Sequence, residues 1–408
     1  MRGVLPKSAW ERNQWVTTAM VFVVFVGFAF VIPFLPLYVR ELGVHDPEAA
    51  TLWAGVLIGI SPLLAGLLAP VWGRLADRYG QKAMAIRALV ASVLFLTLSA
   101  FVRTVEELLF CRVMTGLFGG IGPLGLAMAT SLAPRELTGR AVGLIQAAQI
   151  LSAAIGPLAG GLLADRVGRR NTFVVTAVLC AAALALVARF YEEAPGERRA
   201  GVRPGGSLSF LDLLRLPGVR PLLVTLFLVN FVGRAITPIL PAHLERLGIA
   251  PARLASSTGL LISAYAVAAA LSATVLGRAS RTRSPRRLLV ASLLLGALAA
   301  LPMMKAPSFP AFLALAVLLG LFSGGALTLC YTIGGLLVPA GHRSTAFGFF
   351  AGAALFGGAI SPSVAGLLAH VDLLAIYPVN AALFLGLALA LLPGARRDHA
   401  PAPVAAIG

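Results

Sequence analysis

Pro33-Phe34-Leu35-Pro36, followed by Leu42-Gly43, closes an apolar run over residues 15–39. The pattern returns 205 positions later as Pro238-Ile239-Leu240-Pro241 and Leu247-Gly248, closing a second run over 219–243. Two more pairs keep the spacing. Gly116-Leu117-Phe118 matches Gly320-Leu321-Phe322 at 204, and Gly156-Pro157 with Gly161 matches Ser361-Pro362 with Gly366 at 205. Three matches at nearly one offset read as a parallel duplication.

The apolar runs on either side extend this reading. Bounded by polar or Gly/Pro breaks, they lie at 15–39, 51–72, 83–102, 107–132, 139–164, 171–190, 219–243, 255–277, 287–304, 309–338, 343–368 and 373–393. The offset therefore joins span 1 to 7, 4 to 10 and 5 to 11. Each run meets the ~20 residues that a membrane-crossing helix needs, or nearly so. Backbone groups in hydrocarbon must bond internally, so runs of this kind are helices. The expected fold is an all-α integral membrane protein with twelve transmembrane helices in two six-helix bundles. The bundles cover residues 1–190 and 219–408, with a linker over 191–218. That linker carries Pro195-Gly196 and Pro204-Gly205-Gly206. Its Ser209-Phe210-Leu211-Asp212 is similar to a capping box, so either a short amphipathic helix or a solvated loop follows.

Composition agrees. Of 408 residues, 59% are hydrophobic and 12% charged, and the mean hydropathy is +0.90. Soluble domains sit near ~45–50% apolar and ~25% charged. A water-soluble enzyme and a disordered chain are both excluded. The net charge of +17 comes from short loops, so membrane topology explains it and nucleic-acid binding does not. With residues at the span ends assigned to the nearer side, 23 of the 33 Lys and Arg fall on the side holding both termini, 8 on the other, and 2 are embedded. The positive-inside rule makes that side cytoplasmic. The first run is too long for a signal-peptide core and stays as the first span. Cys111, Cys180 and Cys330 lie in apolar runs at no metal-ligand spacing and read as buried small residues.

Between spans 2 and 3 stands Gly73-Arg74-Leu75-Ala76-Asp77-Arg78-Tyr79-Gly80-Gln81-Lys82. Gly73 permits close helix approach and Gly80 a tight turn. Asp77 can accept charge-assisted bonds. The stretch resembles the signature loop of the major facilitator superfamily. The resemblance implies a cytoplasmic latch between spans 2 and 11 built on Gly73, Asp77, Arg78, Gly80 and Lys82. The second-half counterpart, Gly277-Arg278-Ala279-Ser280-Arg281, has Arg281 in place of the acid. A look-alike at Gly161-Leu162-Leu163-Ala164-Asp165-Arg166-Val167-Gly168-Arg169-Arg170 follows span 5. Its three arginines run against the charge bias.

Span 5 holds Gly156-Pro157-Leu158-Ala159-Gly160-Gly161. Pro157 removes a helix bond, while Gly156 and Gly160 make a small-xxx-small face. The element is similar to the antiporter motif of the drug:proton exporters in the superfamily, although Ser152 stands where that motif has a further Gly. The resemblance implies a bendable gate helix packed against span 8. Trp10-Glu11-Arg12-Asn13, Pro33-Phe34-Leu35-Pro36-Leu37-Tyr38-Val39 and Trp53-Ala54-Gly55 look like MdtG-type multidrug exporters of bacterial inner membranes.

Polar residues inside spans should face protein or a water-filled cavity. Arg112, in Arg112-Val113-Met114-Thr115-Gly116, is similar to an Arg-x-x-Gln-Gly element of the family. Its role must be electrostatic, because an arginine keeps its proton; snorkelling toward Glu106 or Glu107 is the alternative. Gln146, Gln149, Ser152 and Gly156 share roughly one helix face. Gln149 is the candidate cavity hydrogen-bonder, with helix glue as the other role. Asn230 and Arg234 are neighbours one turn apart. Phe30 and Tyr265 are candidate cavity walls by span position. None of the sixteen Asp and Glu lies in the middle of a span.

The resemblance and these residues together imply a secondary transporter. It would export small amphipathic, neutral or anionic compounds, with a proton gradient as energy source and no cofactor. The alternative is an importer of a small organic anion on the same fold. A membrane enzyme is not expected, since no embedded Asp pair, Ser/His set or His/Glu cluster appears. The expected partners are a small-molecule substrate and the lipid bilayer, and a monomer is expected.

Overall fold

The computed structural model describes residues 7–131, 133, 137–193, 210–338 and 343–397. Among them all regular structure is helical. The α-helices are α1 Lys7–Val31, α2 Leu35–Glu41, α3 Pro47–Tyr79, α4 Gln81–Phe101, α5 Val105–Phe118, α6 Ile121–Ser131, α7 Thr138–Val167 and α8 Arg169–Phe190. Then come α9 Phe210–Arg215, α10 Val219–Ala235, α11 Leu240–Arg246, α12 Leu254–Ala279, α13 Pro285–Met303, α14 Phe309–Ser323, α15 Ala326–Leu337, α16 Arg343–Ala369 and α17 Ile376–Arg397. They supply twelve segments long and apolar enough to cross a membrane. Large apolar side chains such as Phe101, Val275, Leu298 and Leu336 stay exposed, as lipid-facing groups do.

Four spans are interrupted where the sequence reading has continuous runs. Span 1 ends at Val31 and resumes as α2 around Pro36; span 7 ends at Ala235 and resumes as α11 around Pro241. Proline cannot donate the helix bond, so the interruption recurs with the repeated Pro-x-x-Pro. Spans 4 and 10 are interrupted at Gly119-Gly120 and Gly324-Gly325. Of the linker, α9 is the short helix that the reading allowed; residues 194–209 lie outside the described residues.

The helices group into two compact units: Met1–Arg203 with Gly248–Ser263, and Pro204–Leu247 with Ala264–Gly408. Each has the same internal packing. In the first, α1 packs along α7 and α8, and α4 along α8, α5 and α6. In the second, α10 packs along α16 and α17, and α13 along α17, α14 and α15.

The correspondence reaches single contacts. A Cβ on Gly116 would stand 2.8 Å from the Ser61 carbonyl, and one on Gly320 would stand 2.7 Å from that of Tyr265. Tyr38 packs 5.2 Å from Phe173 in the first unit, where His243 packs 5.4 Å from Tyr377 in the second. Ser152 donates to the Phe22 carbonyl at 3.0 Å; at the equivalent place Gly357 lies against the Phe227 carbonyl. One turn on the roles exchange. Gly156 faces the Val26 carbonyl, and Ser361 donates to the Phe231 carbonyl at 2.5 Å. Each pair of crossing helices thus has one Gly and one Ser at these two matching contact points, in opposite order.

Candidate functional site

The span 5 motif is packed on two sides. Gly156 and Gly160 face α1, where a Cβ on Gly156 would stand 2.5 Å from that of Ala29 and one on Gly160 would meet the Phe30 backbone. Gly161 instead faces α12 at the Ala255 backbone, and Gly259 of α12 lies against the Pro157 carbonyl. The Leu158 N–H, beside Pro157, donates to the Ser263 hydroxyl at 3.0 Å. Contact with span 8 therefore forms through Pro157 and Gly161, while the small-xxx-small face is spent on span 1. Asp165, at the end of this helix, accepts from the Ser256 N–H in the first turn of α12 at 2.8 Å.

The look-alike after span 5 is the same turn as the signature loop. Gly80 and Gly168 both take positive φ, 95° and 89°, and each joins two helices with no other residue between. Two of the three arginines that run against the charge bias have partners: Arg169 pairs with Glu41, and Arg170 donates to the Val102 carbonyl at 3.3 Å.

In the signature loop itself, the Glu193 carboxylate accepts from the Lys82 N–H at 3.2 Å. It reaches to 2.5 Å from where a Gly80 Cβ would stand. A carboxylate at the start of α4 complements the unpaired N–H groups there. Arg12 pairs with Glu192 at 2.5 Å, and the Asn13 amide exchanges two bonds with the Glu192 backbone at 2.6 and 3.1 Å. Arg78 lies over the Tyr79 ring at 5.3 Å. Among the described residues nothing stands within 4 Å of a Gly73 Cβ. The Asp77 side chain lies outside the described residues.

Of the expected substrate residues, the first unit holds Arg112, Gln149 and Phe30. Arg112 makes no ion pair among the described residues, and its Nε is buried without a hydrogen-bond partner. Glu107 is occupied elsewhere, accepting from the Arg103 N–H at 2.7 Å, so the snorkelling pair is not formed. The Ser61 hydroxyl donates to the Arg112 carbonyl at 2.7 Å, fixing this part of α5 to α3. Gln149 lies beside Phe25 and Gly122. Its face-mates Ser152 and Gly156 pack on α1, so the helix glue is Ser152. No hydrogen bond joins Arg112, Gln149 and Phe30; Phe30 meets α7 through its backbone.

In the second unit Asn230, Arg234 and Tyr265 come together. Gly358 of α16 lies beneath Arg234: a Cβ there would stand 3.0 Å from Cδ and 3.1 Å from Nε of the arginine, and 3.9 Å from the Asn230 Cβ. The missing side chain is what lets Arg234 lie across α16. The Tyr265 hydroxyl would stand 3.4 Å from a Cβ on Gly233, the residue before Arg234. His243 lies in the last turn of α11. It is buried, 2.8 Å from the Tyr377 hydroxyl and 4.7 Å from the Phe312 ring centroid.

Sequence reasoning missed Arg87, which it counted among loop charges. It lies six residues inside α4, with Cζ 3.4 Å from the centroid of the Trp72 ring. The signal available was an arginine beyond the start of an apolar run, with Trp72 at the end of the run before.

A duplicated, twelve-span helical protein with arginines inside its spans belongs to the class of membrane transporters. The match to the family model described as Major Facilitator Superfamily covers residues 17–258 and 222–406, and the chain belongs to that superfamily, a family of transporters and not of enzymes. It is a multi-pass membrane protein and a secondary transporter. It is 34% identical over 301 residues to the multidrug resistance protein MdtG of Yersinia enterocolitica, covering 73% of this chain and 72% of that one. It is 34% identical over 323 residues to the multi-drug resistance efflux pump PmrA homolog of Lactococcus lactis, covering 78% of each. Its fold matches a bacterial homolog of the human lysosomal transporter Spinster, at TM-score 0.76 and 17% identity over 97% of this chain and 98% of that one. It also matches the human organic anion transporter MFSD10, at TM-score 0.66 and 19% identity over 95% and 100%.

Proposed function

We propose that the protein exports small amphipathic compounds, neutral or anionic, in exchange for protons, by alternating exposure of its substrate site to the two sides of the membrane. The observation that carries this reading is the pair of in-span arginines, Arg112 and Arg234, neither of which has an ion-pair partner among the described residues. A charge inside a span costs at least ~2.5 kcal/mol, so an arginine kept there unpaired is suited to a negative or polar guest. The relative named as a multi-drug resistance efflux pump homolog supports outward transport.

In this reading Arg112, Gln149 and Phe30, and Asn230, Arg234 and Tyr265, contact the substrate during the cycle. Residues 1–190 and 219–408 act as the two moving bundles, joined by 191–218. The Gly73–Lys82 loop is a latch on the cytoplasmic side, where both termini lie. Pro157 and its neighbouring glycines form the bend of a gate, and the protein works as a monomer in the bacterial inner membrane.

Proteoliposomes loaded with carboxyfluorescein and given a pH gradient of either sign test the coupling. Transport that follows the gradient is expected; transport indifferent to it removes proton exchange. A substrate panel in which organic cations are preferred overturns the charge argument. The same arginines would serve uptake of an organic anion, and accumulation of the dye in expressing cells, in place of depletion, would establish that direction.

A further inference from the structure

Span 4 is broken in the middle of an apolar segment. Helix α5 stops at Phe118, Gly120 turns to a φ of 96°, and α6 starts at Ile121. The last carbonyls of a helix have no partner within it, and hydrocarbon offers none. Two side chains from the neighbouring spans supply them. The Trp72 indole N–H donates to the Leu117 carbonyl at 2.9 Å. Arg87 Nη2 donates to the carbonyls of Phe118 and Gly119, both at 3.2 Å. The two donors are stacked on each other, guanidinium on indole at 3.4 Å. Arg87 Nε and Nη1 are buried with no hydrogen-bond partner, so these donors offer nothing to a ligand in solution. Cation and plane are both used: the charge suits the negative end of α5, and the flat fork reaches two carbonyls while lying on a ring.

Helix α5 carries Arg112, six residues before its end, about 9 Å at the α-helical rise. We infer that Arg87, braced by Trp72, is a positioning residue for Arg112: by holding the end of α5 it fixes the helix rotation that aims the Arg112 guanidinium. This rests on the reading that Arg112 meets substrate, and it adds a residue that never touches substrate itself.

Cys111 adjoins Arg112 on α5 and is buried, so its thiol reports the rotation. The test uses the full chain in proteoliposomes with Cys180 and Cys330 replaced by Ala. Its readouts are alkylation of Cys111 by N-ethylmaleimide and transport of carboxyfluorescein, an anion, and of Nile red, which is neutral. Arg87→Lys keeps the charge and loses the fork. It is expected to raise Cys111 alkylation at least tenfold and the carboxyfluorescein KM about tenfold, leaving the Nile red KM within twofold. Trp72→Phe, which keeps a ring and loses the N–H, is expected to raise alkylation about threefold, and it serves if the arginine variant does not fold. Unchanged alkylation in the variants, or equal damage to both dyes, overturns the positioning role. The substrate reading fails separately, if Arg112→Ala leaves carboxyfluorescein transport intact; the thiol readout then still decides whether Arg87 sets the rotation of α5.

Discussion

Spans 4 and 10 stand at the same place in the repeat, and each is interrupted at a glycine, but they are interrupted differently. In span 4, Gly120 leaves helical geometry at φ 96°, and three carbonyls are taken by Trp72 and Arg87. In span 10, Gly324 and Gly325 keep near-helical torsions, with φ of −61° and −79°. One amide, that of Gly325, is diverted to the Ser272 hydroxyl at 3.1 Å. The positions matching Arg87 and Trp72 are Ala291 and Leu276, which can donate nothing. A full break in hydrocarbon forms where side chains can satisfy it, and the other copy stays close to helical. The two arginines of the proposed site follow a similar asymmetry. Arg112 matches Ala316, and Arg234 matches Ala29. The duplication supplies the frame, and each half carries its charge on a different helix.

The strongest way to break the comparison is to attack the close crossing that each half makes, α1 on α7 and α10 on α16, at two glycines that do not match in the repeat. Gly160 lies against the Phe30 backbone and Gly357 against the Phe227 backbone, so neither neighbour can rotate aside. Leucine at either position should cost about 3 kcal/mol or more. We expect no monodisperse peak on fluorescence-detected size-exclusion chromatography. Gly352→Leu is the control, since nothing stands within 4 Å of its Cβ, and should elute as the parent does.

Alanine at the two interruptions sharpens the contrast. Gly324→Ala collides with the Ala269 backbone and should lower the detergent-extracted Tm more than Gly120→Ala. The Gly120 site has nothing within 4 Å of the new methyl, so its only cost is the left-handed torsion, roughly 1–2 kcal/mol. Equal losses would mean that the two breaks are equivalent after all.

Much of this organisation could be read from residue order, for a physical reason. Pro33 and Pro238, or Gly116 and Gly320, act through the backbone around them, and a backbone requirement repeats with the sequence. Arg87 and Glu193 were hidden because their roles depend on partners from other helices: Arg87 bonds Gly119, 32 positions away, and Glu193 bonds Lys82, 111 positions away. A charge count by loops places Arg87 at a membrane edge, and a glycine pair within an apolar run does not announce a break. Gly358 was hidden in a different way. It reads as one more small residue until Arg234 is seen lying over it.

The charge asymmetry makes the third prediction. Arg112→Ala and Arg234→Ala should each raise the KM for carboxyfluorescein at least tenfold, about 1.4 kcal/mol, with Nile red affected less. Gly358→Ala should reproduce part of the Arg234 effect with the charge intact, because its methyl group would push the Cδ and Nε of Arg234 off α16.

The smallest expected effect tests the exchanged Ser and Gly. Ser361 makes a short bond to the Phe231 carbonyl, whereas Ser152 divides its proton between Phe22 on α1 and Ala148 on its own helix at 2.7 Å. Interhelical bonds of this kind average ~0.6 kcal/mol in membrane proteins and reach at most ~1.7 kcal/mol. Removing either hydroxyl leaves carbonyls inside helices that keep their own ladder, so no orphan acceptor is created. Ser361→Ala should therefore cost on the order of 1 kcal/mol in unfolding free energy measured in mixed micelles, and Ser152→Ala about half that. If the order is reversed, the first half is the one held together by its hydroxyl, and Gly156 and Gly160 contribute less to the α1–α7 crossing than their contacts imply.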